Sequence, residues 1–128
     1  ICRLKKNLES NGFAFICGPG IGTNKEFYEI INTEIAGASK TLKGRGDFIG
    51  KSEIATIQKE FKKIVLSRLE NKVIFKSSKQ IIDWWQNHVS YVSEIRGAVQ
   101  KYFDYYFEDN EHFYLSKNVL SLKIYNSL

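Results

Sequence analysis

The feature that most constrains the fold is a short, continuously apolar run, Phe13–Cys17, that is bounded by Gly12 and Gly18. A run of this length between glycines predicts a strand that is buried on both faces, as the strands of parallel sheets are. The only other cysteine is Cys2, so the sequence carries no disulfide framework. We therefore expect Cys17 to be a free thiol that is buried within this strand.

A glycine-rich turn, Gly18–Gly22, follows the strand and leads into a helix. Nucleotide-binding folds place such a turn against a phosphate or an adenosyl group. Thr23 and Glu26 have the spacing of a capping box, which predicts the start of the helix. The dinucleotide fingerprint is incomplete, because residues 37–52 form a glycine- and lysine-rich stretch with no strand that ends in an acidic residue. We expect a mobile turn rather than a cofactor cradle.

The rest of the chain alternates between helical and extended patterns. Extended apolar runs predict strands at 64–69, 72–75 and 113–125, the last with a turn at 116–118. Apolar residues at helical spacing predict four further helices, which carry Leu4 and Leu8, Ile54 and Ile57, Ile81 and Trp85, and Val99 and Phe103. The expected capping residues of the last three are Ser52, Ser77 or Ser78, and Ser93. This order of elements indicates an α/β fold, and 128 residues suffice for one domain.

The composition narrows the class of protein. Apolar residues make up 43% and charged residues 26% of the chain, as in ordinary globular proteins. No apolar run approaches the roughly 18 residues that a membrane span needs, and no signal-peptide pattern is present. We therefore expect a cytoplasmic protein with no membrane partner. The chain begins at Ile1 and contains no Met, which we interpret as a fragment of a longer gene product.

The net charge of +5 is concentrated in residues 40–72, where nine basic residues stand against four acidic ones. Such a surplus is usually a solvated face, but it can also attract a polynucleotide. A small basic nucleic-acid-binding module is therefore one alternative function. A strong, salt-dependent affinity for any polynucleotide would favour it.

Aromatic residues crowd the helix predicted at 99–107, and most of them are suited to packing on a sheet. Aromatic rings can stack nucleobases when basic residues stand between them. The residues among and beside these rings are Asp104, Glu108 and Asp109, which would repel phosphate, so we do not expect nucleic acid here. A second alternative is a protein-interaction domain that uses this helix, which a stable homodimer with that face buried would favour.

A second aromatic cluster, Trp84, Trp85, His88 and Tyr91, is the candidate binding site. On a helix, His88 can share a face with either tryptophan, because they precede it by four and three residues. Adjacent helical residues point about 100° apart, so we expect one tryptophan to pack inward and the other to be substantially exposed in a concave site. The alternative is that His88 is only a surface or core-edge imidazole. Neither His112 nor the cysteines have ligand spacing, and the sequence indicates no metal site and no catalytic residues.

Taken in order, six segments of the chain are similar to the C-terminal half of a bacterial class I methyltransferase, an enzyme with a Rossmann-like fold. Together they span nearly the whole chain. They are Leu4–Gly12, Phe13–Cys17, Asn24–Glu26, Leu69–Phe75, the series Trp85, His88 and Tyr91, and Leu115–Tyr125.

This resemblance implies a partial Rossmann-like fold of about three mixed strands with flanking helices. The strand at 13–17 would be the fifth of the family's seven, the strand at 64–69 the sixth, and the strand at 119–125 the seventh, inserted antiparallel between them. The first four strands, with the cofactor turn and its acidic ribose partner, are missing. Residues 1–128 would therefore be the C-terminal portion of a methyltransferase domain whose cofactor-binding half is absent.

The resemblance makes a more detailed statement about the last strand. Leu120, Leu122 and Ile124 would face one layer of helices, while Val119 and Tyr125 would face another. The truncation would also leave the outer edge of the strand at 13–17 unpaired. An exposed edge recruits other chains, so we expect a homodimer through this edge or through the first helix.

The resemblance further implies an S-adenosylmethionine-dependent methyltransferase that acts on a small molecule or a sugar. In the family the C-terminal part contributes mainly substrate contacts, and the cluster Trp84, Trp85, His88 and Tyr91 lies where part of the acceptor pocket is found. The intact enzyme would use S-adenosylmethionine. The fragment alone is expected to bind no cofactor and to be inactive.

Overall fold

The computed structural model describes residues 2–35 and 46–126, without the side chain of Cys2. These residues form a mixed α/β structure with five helices and two small antiparallel sheets. In chain order the elements are α1 (Cys2–Asn7), β1 (Phe13–Pro19), α2 (Lys25–Glu34), α3 (Lys51–Glu60), β2 (Lys63–Leu69), β3 (Lys72–Phe75), α4 (Ser78–Gln86), α5 (Arg96–Asp109), β4 (Phe113–Ser116) and β5 (Val119–Tyr125). None of the described helices is long and apolar enough to cross a membrane.

Contacts within the chain divide it into two compact units, whereas its length predicts one domain. The first unit contains α1, β1, α3, β2 and β5, and the second contains α2, β3, α4, α5 and β4. The described residues form two separate clusters of buried apolar side chains, one in each unit. Most of the loop predicted at 37–52 lies outside the described residues, and its last two residues instead begin α3.

The sheet of the first unit has the strand order β1-β5-β2, and β5 runs antiparallel to both neighbours. All seven residues of β5 pair on both sides; Leu122, for example, lies opposite Ile16 in β1 and Leu66 in β2. The prediction that the last strand enters between the two earlier ones is confirmed. Every described pairing is antiparallel, so the mixed sheet that the resemblance implies is not seen among these strands.

Only one face of this sheet is covered by helices of its own unit. Leu120, Leu122 and Ile124 are fully buried and pack with Ile57 of α3 and, at the edge, Leu4 of α1. The expectation that Val119 and Tyr125 face a second helical layer is wrong within this unit, because its described helices pack on the first face. We call the other side the open face; it includes Phe13, Phe15, Lys63, Val65, Lys123 and Tyr125.

The continuous apolar run of β1 predicts a strand that is buried on both faces, and this prediction is wrong. Strand β1 lies at an edge of the sheet, and its residues alternate between exposed and half-buried. The side chain of Cys17 points to the open face and is exposed, so the prediction of a buried thiol is wrong. An apolar run of five residues looks the same whether its second face is packed or open, which explains both errors.

The second unit packs three helices around a two-stranded sheet. Strands β3 and β4 pair antiparallel, with Phe75 opposite Phe113. The core of this unit combines aliphatic and aromatic side chains and includes Phe27 of α2, Trp85 of α4 and Phe103 of α5, each with no exposed surface. The predicted inward face of α5, with Val99 and Phe103, is confirmed.

The predicted helix caps are only partly correct. Ser77 caps α4, where its side chain accepts a hydrogen bond from the Gln80 N–H. The capping box at Thr23 and Glu26 is wrong, because α2 starts after Asn24 and the two predicted side chains bond elsewhere. Ser52 lies inside α3, whose cap is Gly50, and Ser93 starts a short 3-10 turn before α5 without capping it.

Leu122→Ala tests the structural role of β5. Leu122 is fully buried between two strands and beneath two helices, so its truncation should lower the free energy of unfolding by about 2–5 kcal/mol. Ser121→Ala, the next position on the opposite face, is the matched control and should cost less than about 1 kcal/mol. Denaturant unfolding followed by circular dichroism measures both. Equal effects of the two substitutions would contradict the buried central strand.

Candidate functional site

Helix α4 and the turn after it bring the four predicted site residues together. The helix ends at Gln86, and His88 lies in the turn, where its N–H donates to the Trp85 carbonyl at 2.9 Å. The Tyr91 N–H then donates to the His88 carbonyl at 3.0 Å. The rings form two pairs, Trp84 with His88 at 5.2 Å and Trp85 with Tyr91 at 4.9 Å between centroids.

Trp85 belongs to the core of the second unit. Its side chain is fully buried, and its ring lies 5.5 Å from that of Phe27. The indole N–H donates to the Ser90 carbonyl at 3.3 Å, which satisfies the one polar atom of the buried side chain. This is the inward-facing tryptophan that the sequence predicts, and it is a structural residue.

Trp84 is half-buried, which corrects the expectation that the second tryptophan is substantially exposed. Its ring contacts Phe27 edge-to-face at 5.2 Å and Phe75 at 5.8 Å. The two tryptophans do point in different directions, but Phe27 of α2 contacts both rings and Phe75 of β3 also contacts that of Trp84. Trp84 keeps some accessible surface, and its ring lies 5.2 Å from that of the half-buried His88.

The imidazole of His88 is held at both ring nitrogens. Nδ1 lies 2.8 Å from the Ser90 hydroxyl and accepts a hydrogen bond from the Ser90 N–H at 3.2 Å. That backbone bond places the proton of the neutral ring on Nε2, which lies 3.2 Å from the side-chain amide of Asn24. A donor at Nε2 requires an acceptor oxygen opposite it. The side-chain amide of Asn24 supplies that oxygen when it is rotated by 180°, which places Oδ1 where Nδ2 now lies.

Asn24 is a site residue that the sequence reasoning missed. It has a left-handed backbone conformation with φ of 61° and is only 2% exposed. Its Oδ1 has no hydrogen-bond partner among the described residues, although the amide lies beside His88 and the Tyr28 hydroxyl. The usable signal was an asparagine two residues after the glycine turn, because asparagine tolerates this conformation better than most residues.

Glu26 fixes the start of α2, and with it Asn24 and Phe27, to strand β4. Its carboxylate accepts hydrogen bonds from the Ser116 N–H at 2.9 Å and the Ser116 hydroxyl at 2.5 Å. Burial alone would raise the pKa of Glu26, but the two bonds from Ser116, the N–H of Glu26 itself and the charge of Lys25 together lower that pKa. The site is thus built on a charged anchor between residues that are 90 positions apart in the sequence.

The glycine turn of the first unit is occupied by the protein's own groups. The Gly20 N–H donates to the Asn118 carbonyl at 2.8 Å, and the Thr23 hydroxyl lies 2.8 Å from the same carbonyl. The Ile21 N–H donates to the Asp47 carboxylate, and Gly22 has a positive φ of 81° that suits glycine. The sequence predicts a mobile turn at this place, whereas these hydrogen bonds tie the turn to other parts of the chain. They also use amides that an anion cradle would need free.

Asp47 connects this turn to strand β2. Both of its carboxylate oxygens accept hydrogen bonds from the Arg68 guanidinium at 2.6 Å. These bonds, together with the one from the Ile21 N–H, lower the pKa of Asp47 to about 2. The sequence reasoning counted both residues only as part of the basic surplus in residues 40–72.

The exposed side of α5 carries a shallow cleft of about 190 Å³. It is lined by three tyrosines, Tyr102, Tyr105 and Tyr106, together with Asp109 and Asn110. Tyr105 is 70% exposed, and burial together with the negative charge of nearby Glu34 raises the pKa of Tyr102. This surface corresponds to the aromatic helix of the protein-interaction alternative.

No family model matches this sequence, and a search of curated proteins finds no significant match. The function is therefore inferred from the fold and from the arrangement of the site.

The Asp47–Arg68 pair predicts a specific pH dependence of stability. The pKa of the folded carboxyl, about 2, lies below its ordinary value of 3.8, so the ionised pair stabilises the fold above pH 3.8. This contribution is lost as the pH falls from 3.8 through 2. The difference in unfolding free energy between the wild type and Asp47→Asn should therefore be constant near neutral pH and shrink across that acid range.

Denaturant unfolding at a series of pH values measures this difference. Arg68→Gln removes the same pair from the other side and should show the same loss of pH dependence relative to the wild type. A difference between wild type and Asp47→Asn that does not change between pH 6 and pH 2 would show that the pair does not form.

Proposed function

We propose that the chain is the C-terminal, substrate-side part of a class I, Rossmann-like, S-adenosylmethionine-dependent methyltransferase that acts on a small molecule or a sugar. The single observation that carries the proposal is the strand order β1-β5-β2, with the last strand antiparallel between the two earlier ones. The resemblance requires this arrangement, and the amino-acid composition alone does not.

The strand order is informative because it is not the arrangement that short connections favour. Strands adjacent in sequence are neighbours in space about two-thirds of the time, yet β5 pairs with β1, whose first residue precedes its own by more than a hundred positions. The register is continuous over seven residues on each side. In the proposed enzyme, the fourth strand of the family would pair with the outer edge of β1.

The described residues support a role in binding the acceptor better than a role in binding the cofactor. The amides of the glycine turn bond within the chain, so they do not offer a site for a nucleotide. S-adenosylmethionine, held by the preceding half of the enzyme, would supply the methyl group. The main role of this chain in methyl transfer would then be to position the acceptor, and a rigid site does this effectively.

The cluster around α4 provides such a rigid geometry. Trp84 is fixed by Phe27 and Phe75, and His88 is fixed by Ser90 and Asn24. The accessible part of the Trp84 ring can pack against the face of a sugar or an aromatic acceptor. The imidazole beside it can bond through Nε2 to a hydroxyl of that acceptor once the hydroxyl displaces the side-chain amide of Asn24.

Calorimetric titration with S-adenosylmethionine tests this proposal. The intact enzyme of this proposal, in which a cofactor-binding half precedes this chain, should bind one equivalent with a micromolar dissociation constant, whereas the present chain should bind none. In the intact enzyme, Trp84→Ala or His88→Ala should raise the KM for the acceptor about tenfold, which is the loss of about 1.4 kcal/mol of binding, and should leave the cofactor affinity unchanged.

Tyr105→Ala is the matched control, because this exposed ring lies on α5 and belongs to neither site residue's contacts. It should change neither constant. Binding of S-adenosylmethionine to the present chain, or its failure to bind to the intact enzyme, would refute the proposal. Unaltered acceptor kinetics in both site variants would show that the cluster serves only in packing.

A further inference from the structure

The open face of the three-stranded sheet carries large apolar side chains that this unit does not cover. Phe13 is 55% exposed, Phe15 61% and Val65 42%. Phe13 and Phe15 lie on β1 and Val65 on β2, the two strands that flank β5, and the register places all three on the same side of the sheet. Large apolar side chains that are exposed together on one face mark an interaction site.

The charges on this face are all of one sign. Lys63 and Lys123 lie on it, and none of the positions of the three strands that alternate onto it is Asp or Glu. Among the described residues, no carboxylate forms an ion pair with either lysine. The two ammonium groups instead contact aromatic rings, and Lys123 Nζ lies 4.2 Å above the ring centroid of Phe13.

The register places rings and lysines in two adjacent rows. One row across the sheet is Phe13, Tyr125 and Lys63, and the next is Phe15, Lys123 and Val65. Consecutive rows on one face are about 7 Å apart along the strands. Both lysines approach Tyr125, at 4.8 Å for Lys63 and 5.0 Å for Lys123, so two positive charges flank one ring.

We propose that this open face binds single-stranded nucleic acid, whose bases stack on the aromatic rings and whose phosphates are neutralised by the two lysines. A surface of flat rings interleaved with cations suits a single strand, since each base has a π-face that can stack on a ring and each nucleotide has a negative charge that a lysine can neutralise. The acidic residues that argue against nucleic acid at α5 have no counterpart on this face. The proposal does not depend on the methyltransferase assignment.

A second copy of this chain is a poorer occupant of the face. Two open faces packed against each other would bring four lysines together with no carboxylate from either face to compensate them. Like charges juxtaposed across an interface oppose association. The charge pattern therefore favours an anionic partner over self-association through this surface.

Fluorescence anisotropy with a labelled ten-nucleotide oligothymidylate tests the proposal on the full chain. At low salt the dissociation constant should be micromolar, and the double variant F13A/F15A should weaken binding at least tenfold. Lys63→Gln and Lys123→Gln should each reduce the slope of log affinity against log salt by about 0.7. The exposed ring of Tyr105 provides the control, and Tyr105→Ala should leave the affinity unchanged.

Further measurements separate the possible occupants. An abasic oligonucleotide of the same length should bind at least tenfold more weakly, and Phe15→Tyr, which keeps the ring, should bind like the wild type. Equal affinity for the abasic strand, or for heparin, would overturn the proposal in favour of a general polyanion surface. The proposal would also be overturned if the oligothymidylate did not bind, or if sedimentation showed a dimer that F13A/F15A abolishes. Melting curves of the variants that match the wild type would exclude misfolding as the cause of weaker binding.

Discussion

Strand β5 forms backbone hydrogen bonds on both sides, with β1 on one side and β2 on the other. Without it, these two strands have no neighbour among the described strands of this sheet, and their backbone donors and acceptors would need other partners. Its three buried side chains, Leu120, Leu122 and Ile124, are also the centre of the first unit's core. One strand near the C-terminal end of the sequence thus supplies both the hydrogen bonds and the apolar contacts that hold this unit together.

The second unit depends on a different kind of contact. At its centre Phe27 contacts Trp84 edge-to-face, lies tilted against Trp85 and stacks on Phe103. The start of α2, which carries Phe27, is fixed to β4 by the hydrogen bonds between Glu26 and Ser116. The candidate acceptor site is the rim of this core, which is why its side chains are well positioned and why only part of Trp84 remains accessible.

The sequence predicts the elements of this structure better than their surroundings. The extended apolar run at 113–125 and the helical spacing in α4 and α5 locate those elements correctly, because each pattern reflects the burial of apolar side chains. The two faces of β1 could not be distinguished, because Phe13 and Phe15 remain apolar although they are exposed. An apolar residue reports burial only when something in the fold covers it.

The errors at the candidate site have a similar origin. Glu26 has the spacing of a capping residue, but Ser116, which is remote in sequence, offers it two hydrogen bonds instead of one. Trp84 points away from Trp85 as helix geometry requires, yet Phe75 from another element covers it. Asn24 was overlooked because its importance comes from the left-handed turn and from His88, which is 64 residues away. Long-range partners of this kind leave no local pattern.

The position of β5 between β1 and β2 is tested most directly by nuclear Overhauser effects between backbone protons. Pairing residue by residue predicts cross-strand contacts from Leu122 to both Ile16 and Leu66, and from Ile124 to both Ala14 and Ile64. Contacts from β5 to only one of the two strands, or direct contacts between β1 and β2, would contradict the topology and the methyltransferase proposal that depends on it.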